Sequence, residues 1–394
     1  MNYILFDDST RANFLPLTFL RPLCDIRIGI LTIREKWEIL LKAKTSTLTE
    51  GYLSENYPLV KADKNILING SVSPSPELVK AVMNMKENQT LIYGDYIIAM
   101  SLSGDQVEGL GGDVDIEEVA VEDTFIKLNY MWDIFAKNSA AIAEDFKILT
   151  KGKKSAKISP TNRVLGEENI FIEEGAEVEF ATINATTGPV YIGKNACIME
   201  NAALRGPIAI CESATVKMGA KIYGGTTVGP FSKVGGEMNK TVIFGYSNKA
   251  HDGYIGDSVI GEWCNIGADS NVSNLKNTYD EVRLWSIPQQ KFVGTGLQFC
   301  GVIMGDHSKC GINTMFNTGS VVGISSNIFG HGYQRNYINS FSWGGNQGFK
   351  PFEIDKAIEV AERMMERRNV KMTDEYRKMF IDVYNQTKRY KHLR

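Results

Sequence analysis

An aliphatic side chain recurs at every sixth position across the middle of the chain. The run is unbroken over eight positions, which are Ile192, Ile198, Leu204, Ile210, Val216, Ile222, Val228 and Val234. The period returns over residues 260–272 and 304–328, and a small residue follows most of these positions by four. A period of six fits neither an α-helix nor an amphipathic strand alone. It is typical of a parallel β-solenoid of triangular section, in which one residue per side points inward and small residues permit tight corners.

Two segments interrupt this period, residues 236–253 and 275–300. Interruptions of a solenoid are usually loops that leave the prism, and such loops often carry function. We therefore expect both segments to be extruded from the solenoid.

The first 160 residues follow a different pattern. Apolar runs at residues 2–6, 65–69, 91–93 and 96–100 predict strands, and helical spacing at residues 30–42, 76–85 and 129–150 predicts helices. This alternation indicates an α/β layered domain. The basic stretch 151–157 is the expected boundary, and its polar composition favours a solvated linker.

Two amphipathic helices are predicted after the solenoid. Pro351 suits the start of the first helix, and Thr373 suits the N-cap of the second. The apolar stripes of both helices favour packing over the solenoid end or on another subunit. We accordingly predict an α/β domain over residues 1–158, a solenoid over 162–335 and a helical extension over 351–394.

Composition and charge argue against several classes of function. A net charge of −3 over 394 residues makes nucleic acid an unexpected partner. No stretch of roughly 18 or more apolar residues predicts a membrane span, and the N-terminus lacks a secretory pattern. Six cysteines without a CxxC spacing favour reduced thiols in a cytoplasmic protein. The four histidines do not offer three converging ligands, so no metal site is expected.

His251 is the candidate for acid–base chemistry, because imidazole transfers protons near neutral pH. It lies in the first interruption, in the stretch NKAHDGYIGD, with further polar residues close behind it. The spaced motif comprises Glu237-Met238, Ser247, Lys249-Ala250, His251, Tyr254, Asn265-Ile266-Gly267-Ala268 and Asn274. This motif resembles the acetyltransferase half of the bacterial bifunctional GlmU-like family, N-acetylglucosamine-1-phosphate uridyltransferase/glucosamine-1-phosphate acetyltransferase. The resemblance is strong over residues 190–330 and weak over 1–110, and it is that of a shortened, divergent branch.

The resemblance carries expectations about fold, ligands and assembly. It implies an α/β nucleotidyltransferase-like domain followed by a left-handed parallel β-helix of hexapeptide repeats and C-terminal helices. It also implies acetyl-CoA as co-substrate, a small amino-sugar phosphate as acceptor, and a homotrimer with its sites between subunits.

Site residues follow from the same resemblance. His251 would be the general base, and Asn274 would hold the amine. The sugar phosphate would be contacted by Lys221, Asn239, Lys240, Tyr254 and Asn265. The pantetheine arm would lie along Gly311, Ile312, Asn313, Phe329 and Gly330. Asn239 stands where the family has a phosphate-binding lysine, and Lys221 stands where it has an arginine. The family's pattern for binding the sugar phosphate is therefore kept less completely than its pattern for acyl transfer.

The first domain departs further from the family. Residues 6–22 lack the glycines that let a loop approach phosphate closely, and Asn69-Gly70-Ser71 lacks the metal-binding aspartate. Arg11 and Arg21 are the candidate contacts for UTP or another nucleoside triphosphate. Mg²⁺ is expected only if this domain is active.

These observations favour an acetyl-CoA-dependent N-acetyltransferase for glucosamine-1-phosphate in UDP-N-acetylglucosamine synthesis, with a sugar-1-phosphate nucleotidyltransferase activity left open. One alternative is an acetyltransferase for another amino-sugar nucleotide. The other is a trimeric sugar-nucleotide-binding scaffold without catalysis.

Overall fold

The computed structural model describes residues 1–108 and 117–390. Its N-terminal part is built on a mixed sheet in the strand order Thr45–Leu48, Asn2–Phe6, Lys64–Asn69, Tyr96–Ser103, Gln89–Tyr93, Glu117–Ala120. The first three strands are parallel, and the next two extend the sheet as an antiparallel hairpin. Two small antiparallel pairs, Arg27–Ile28 with Leu31–Thr32 and Val72–Ser73 with Ile126–Lys127, flank the sheet. The predicted α/β domain is confirmed.

Helices cover this sheet and lead out of it. They are α1 (Ile33–Leu41), α2 (Pro76–Met83), α3 (Gly104–Glu108), α4 (Asp133–Ala136) and α5 (Asn138–Thr150). Helix α1 begins three residues later than predicted, because Thr32 and Glu35 close a capping box at its start. The single helix predicted over residues 129–150 is instead the pair α4 and α5, which Lys137 separates.

The predicted β-solenoid is confirmed as a three-faced parallel β-helix. Face A contains Ile170–Ile172, Val190–Ile192, Ile208–Ile210, Thr226–Val228, the second halves of Glu237–Ile243 and Tyr254–Ile260, Val302–Met304, Ser320–Val322 and Tyr337–Ile338. Face B contains Glu177–Val178, Cys197–Ile198, Thr215–Val216, Lys233–Val234, Asn248–Lys249, Asn265–Ile266, Lys309–Cys310, Asn327–Ile328, Ser342–Gly345 and, antiparallel, Gly348–Pro351. Face C contains Arg163–Leu165, Thr182–Asn184, Ala203–Arg205, Lys221–Ile222, the first halves of Glu237–Ile243 and Tyr254–Ile260, and the pair Asn271–Val272 and Met315–Phe316.

The hexad positions form the interior of this β-helix. All eight aliphatic residues from Ile192 to Val234 are buried and belong to one hydrophobic cluster. Residues such as Asn195, Ser213 and Phe231 turn the corner from face A to face B with positive φ. Side chains 18 residues apart pair across successive turns, as Ile192 does with Ile210. The stack continues to Gly345, ten residues beyond the predicted end of the solenoid.

The first interruption is not an extruded loop, and this prediction was wrong. The β-helix continues through it in two shortened turns, in which Val228 pairs with Ile243 and Ile243 pairs with Ile260. These turns are 15 and 17 residues long instead of 18, so the aliphatic period changes phase. One inward position in this stretch is Lys249, a charged residue in a column of apolar ones.

The second interruption does leave the β-helix, as predicted. It folds as an antiparallel hairpin, Arg283–Ser286 with Lys291–Gly294. Val282 and Leu284 are buried in the same hydrophobic cluster as the N-terminal domain, and the Trp285 ring stacks on Tyr337 at 5.0 Å. The hairpin is therefore packed against the outside of face A.

The C-terminal helices are α6 (Ile354–Glu366) and α7 (Asp374–Thr387). Pro351 does not start α6; it ends a strand, and α6 begins three residues later. Thr373 caps α7 as predicted, accepting a hydrogen bond from the Tyr376 N–H at 3.1 Å. Residues 391–394 of the predicted helical extension lie outside the described part. Both helices pack along the corner between faces A and B and on the N-terminal domain, rather than over the solenoid end.

An aromatic ladder runs along this same corner. The rings of Phe231, Tyr246 and Trp263 stack at 4.9 and 4.2 Å, and His307 continues the ladder at 6.2 Å from Trp263. His307 is buried, and its Nε2 lies 2.8 Å from the Tyr376 hydroxyl of α7. The ladder thus fixes α7, and with it α6, against the β-helix. No helix among the described residues is long and apolar enough to cross a membrane.

Candidate functional site

His251 lies on the corner between faces B and C. In this turn the face B strand Asn248–Lys249 ends just before His251. The next strand of face C begins just after it, at Tyr254. Its side chain is exposed, whereas the two residues that flank this corner, Lys249 and Tyr254, are buried and half-buried. The corner therefore presents an imidazole to solvent from a rigid part of the β-helix.

Lys249 holds this corner from inside. It occupies the inward column between Val234 and Ile266, and only 1% of its surface is exposed. Its Nζ donates hydrogen bonds to the carbonyl oxygens of His251 at 2.7 Å and Asp252 at 2.9 Å. Burial lowers the pKa of Lys249 to about 8. A buried ammonium thus takes the place of an aliphatic residue and fixes the backbone that carries His251.

A groove of about 750 Å³ opens beside His251. It is lined by Lys233, Asn248, Ala250, His251, Asn265, Ile266, Gly267, Ala268, Lys309, Ile312, Arg363, Met364, Arg367 and Arg368. One wall is face B with its corner, and the other wall is the C-terminal half of α6 with the two residues that follow it. Of the predicted site residues, the groove brings together His251, Asn265 and Ile312.

Tyr254 and Asn274 form a second polar cluster with a residue that the motif did not include, Asp257. The Asn274 amide donates to the Tyr254 hydroxyl at 3.1 Å and to the Asp257 carboxylate at 2.6 Å. Burial raises the pKa of Asp257 and that of Tyr254, and the Asp257 charge raises the latter further. Gly256 leaves room for the cluster, because a Cβ there would lie 2.3 Å from the Tyr254 hydroxyl.

The predicted phosphate contacts lie on the same side as this cluster. Lys221 is exposed on face C, with its Nζ 3.5 Å from the Glu237 carboxylate. Lys240 is exposed at a corner with positive φ, and its charge acts on Asp257. Asn239 hydrogen-bonds Tyr254. The structure therefore divides the predicted sugar-binding residues between the groove and the cluster.

The predicted acetyl-CoA residues continue the corner of His251 towards the C-terminal end. Asn313 N–H donates to Ala268 at 2.9 Å and Gly311 N–H to Ile328 at 2.8 Å, so these positions stack on successive turns. Ile312 and Phe329 are 70% and 44% exposed. Apolar side chains thus lie in a row along the corner, beginning two turns after His251.

The N-terminal arginines are placed differently from the expectation. Arg21 is buried and donates to the Asp306 carboxylate at 2.9 and 3.0 Å, and it also lies 3.1 Å from Glu262. Arg11 is buried between Asp7, at 3.1 Å, and the Tyr52 hydroxyl, at 2.9 Å. Both guanidinium groups have ion-pair and hydrogen-bond partners within the chain. The nucleotide role expected of them stays a prediction. Arg21 instead joins the first domain to the β-helix.

The carboxylates at the edge of the first sheet are also engaged. Asp7 accepts from the Leu23 N–H and from the Thr49 hydroxyl. Asp8 caps the turn at Thr10 and accepts from the Asn69 amide at 2.8 Å. Among the described residues there is no group of three or more His, Cys, Asp or Glu side chains that could hold a metal. These residues therefore do not fit a Mg²⁺ site as they stand.

Sequence reasoning included Lys249 in the motif without giving it a role, and it missed Asp257 and the arginines at and just after the end of α6. The phase change of the repeat could have placed Lys249 inward, since counting back from Ile266 by a shortened turn reaches it. No pattern could have brought α6 to His251, because their approach depends on long-range packing.

Comparisons with known proteins agree with the family resemblance. Residues 3–154 match the family model described as sugar nucleotidyl transferase. A bifunctional sugar-1-phosphate nucleotidylyltransferase/acetyltransferase of Sulfurisphaera tokodaii is 28% identical over 152 residues, covering 34% of this chain and 37% of that protein. The bifunctional protein GlmU of Methanococcus aeolicus is 30% identical over 201 residues, covering 51% of this chain and 44% of that protein. The matched part is less than half the length of each of these relatives.

A solved Arabidopsis UDP-N-acetylglucosamine acyltransferase overlaps 55% of this chain and 78% of its own, at 16% identity. The TM-score of 0.22 is too low for the two structures to be compared turn by turn. The sequence matches confirm the resemblance over part of the chain, which is similar to the sugar nucleotidyl transferase family and to GlmU-like bifunctional proteins.

Proposed function

We propose that this protein is an acetyl-CoA-dependent N-acetyltransferase acting on an amino-sugar phosphate, in the first place glucosamine-1-phosphate, in the synthesis of UDP-N-acetylglucosamine. The observation that carries the proposal is His251, an exposed imidazole on a rigid corner beside a groove, within a motif that matches the family in spacing. The names of the similar proteins support the same activity.

In this proposal His251 acts as the general base. The acetyl thioester supplies the acyl group, and the amine nitrogen of the sugar attacks its carbonyl carbon. The neutral imidazole takes the proton that the nitrogen loses as the new C–N bond forms, and it returns that proton to the sulfur as the C–S bond breaks. Lys249 keeps the imidazole in place through the backbone carbonyl of His251.

Asn274 and Tyr254 are proposed to orient the acceptor amine and its ring. Their hydrogen bonds to each other and to Asp257 fix both side chains before substrate arrives, which reduces the entropy lost on binding. Asn265 would contact the sugar from the groove.

The corner from Gly311 to Gly330 is proposed to hold the pantetheine arm. The exposed side chains of Ile312 and Phe329 offer an apolar track that starts in the groove beside His251. Further exposed apolar residues, Phe180 and Met218, lie on the same corner at the other end of the β-helix. Because such residues favour burial against a neighbour, they support the proposed homotrimer with its clefts between subunits.

A nucleotidyltransferase activity of the first domain is a second proposal, supported by the family match of residues 3–154. Because the carboxylates at its sheet edge are engaged within the chain, we derive no step through a metal there. Another amino-sugar nucleotide as acceptor, and a scaffold that binds without turnover, are the competing functions.

The test is thiol release from acetyl-CoA with glucosamine-1-phosphate, measured for the parent protein and for His251→Ala. Release by the parent and its loss in the variant would support the proposal. Release only with nucleotide-linked amino sugars would favour the first competing function. Binding of acetyl-CoA without release for any acceptor would favour the scaffold. Adding UTP and Mg²⁺ to the reaction then tests the first domain.

A further inference from the structure

The groove beside His251 is lined by cations and by no carboxylate. Lys233 and Lys309 line it from face B, Arg363 lines it from α6, and Arg367 and Arg368 line it from just beyond the end of α6. This concentration of charge is unusual in a chain whose net charge is −3. The end of α6 and the two residues after it bring three of the five cations, so the site exists only because α6 packs along the β-helix.

These cations repel one another, although three of the five have a partner among the described residues. Lys309 Nζ donates to the His307 carbonyl oxygen at 2.8 Å. Arg368 donates to the Asn248 amide oxygen at 2.8 Å, and burial together with the Arg367 charge lowers its pKa. Arg363 pairs with Glu359 on the same helix. Arg367 is in no ion pair within the described part of the chain. An anion in the groove would relieve this repulsion, and phosphate is the anion that arginine recognises through paired N–H groups.

The phosphate contacts expected from the family resemblance are weak in this chain. Asn239 is neutral, and Lys221 is already paired with Glu237. Lys240 stands near the buried carboxylate of Asp257. The side of the corner that carries these residues therefore offers less free positive charge than the groove.

We propose that the groove binds the phosphate of a phosphorylated substrate, and that Arg367 and Arg368, which directly follow α6, hold it beside His251. The proposal rests on the proposed function for the identity of that substrate. Two sources share the chemistry, the phosphate of the amino-sugar acceptor and the phosphates of CoA. His251 in the groove wall favours the acceptor, since the reacting amine and the phosphate belong to one small molecule.

The test is calorimetric binding to the full-length protein of four probes, glucosamine-1-phosphate, glucosamine, CoA and dephospho-CoA. The variants are Arg367→Gln, Arg368→Gln and the double change. Lys356→Gln is the matched control, because it removes one positive charge from the exposed side of the same helix outside the groove. Thermal denaturation of each variant checks that α6 is still packed.

Each arginine is expected to contribute about tenfold in affinity, the usual size of a charge-assisted hydrogen bond. Weaker binding of glucosamine-1-phosphate with unchanged binding of CoA would support the acceptor as the source. Weaker binding of CoA, with unchanged binding of dephospho-CoA, would support a phosphate site in the groove whose ligand is the 3′-phosphate of CoA. Unchanged affinity of the folded double variant for all probes would overturn the proposal.

The two proposals fail separately. Arginine-dependent binding without acetyl transfer to any acceptor would overturn the proposed function and leave the groove. Suppose instead that acetyl transfer depends on His251, but that neither kcat nor KM changes when both arginines are replaced. That result would overturn the proposed phosphate site in the groove and would leave the proposed acetyltransferase function standing.

Discussion

The corner at His251 and the sheet edge of the first domain are both places where polar side chains gather, but they are arranged in opposite ways. At the corner, His251 and Arg367 are exposed, while the buried Lys249 fixes the backbone beneath. At the sheet edge, Asp7, Asp8 and Arg11 are partnered within the chain. Side chains that already satisfy one another stabilise a fold, and side chains that are fixed but unsatisfied can bind a substrate. The comparison therefore favours the β-helix as the place of the proposed chemistry.

The sharpest way to break this comparison is to neutralise one group at each place. His251→Gln is expected to lower kcat for acetyl transfer by about 10²–10⁴, the usual contribution of a general base. Asp8→Asn should leave acetyl transfer unchanged, because Asn also caps the turn at Thr10. The kcat of acetyl transfer is measured for both variants by steady-state kinetics. Equal losses in the two variants would contradict the assignment.

Arg21 tests whether the first domain uses its arginines for structure. Arg21→Met should lower the free energy of unfolding by about 3–5 kcal/mol, because it leaves the buried Asp306 carboxylate without its partner. Urea denaturation followed by circular dichroism gives the value. Lys44→Met, which removes an exposed partner of Glu38, is the control and should have a far smaller effect. A fully stable Arg21→Met protein would reopen a binding role for this residue.

Gly256 tests the cluster around Asn274. Gly256→Ala adds a methyl group that would lie 2.6 Å from the Asn274 amide and 2.3 Å from the Tyr254 hydroxyl, so both side chains must move. We expect kcat/KM for the acceptor to fall about tenfold, since misplaced orienting groups lose part of the positioning contribution. Gly51→Ala, where a Cβ would have nothing within 4 Å, should behave as the parent. Unchanged kinetics in folded Gly256→Ala would exclude the cluster from the site.

Lys249 has the smallest expected effect and the most specific signature. Lys249→Met should lower kcat a few-fold with little change in KM, because His251 loses the hydrogen bond that fixes its carbonyl. The folded-state pKa of about 8 lies below the ordinary 10.5, so the unfolded chain binds more protons between these pH values. Lys249 therefore makes the protein more stable as pH rises from about 8 to 10.5.

The difference between parent and Lys249→Met should isolate this contribution, since the other titrating groups are common to both. Urea denaturation at a series of pH values gives the slope. Identical slopes in the two proteins would mean that Lys249 is not a buried ammonium, and the argument for its role at His251 would fail.

Much of the β-helix could be read from the sequence, because each hexad position reports the same local event, a side chain pointing into the prism. The prediction failed between Gly235 and Gly253, where shortened turns and an inward lysine hide the repeat. Helix boundaries shifted for local reasons as well: the capping box at Thr32 and the strand that ends at Pro351.

The candidate site could be predicted only in part from the sequence. The motif spacing brought His251, Tyr254, Asn265 and Asn274 to one region of the β-helix, and the structure places two of them in the groove and two in the cluster. No sequence pattern pointed to Asp257 or to the arginines at and just after the end of α6 as site residues. Their roles arise from contacts between segments far apart in the chain.

The sequence by itself determined the three-part architecture, the inward face of nearly every turn and the candidate base, since these depend on periodicity and on local motif spacing. Only the tertiary structure decided that Arg21 and Asp306 form a buried ion pair between the first domain and the β-helix. It alone also decided that the buried Lys249 hydrogen-bonds the backbone carbonyl of His251. It also decided that α6 lies along the β-helix and lines the groove with arginine. Those outcomes depend on burial, and the burial of a polar side chain is set by which surfaces meet when the whole chain folds.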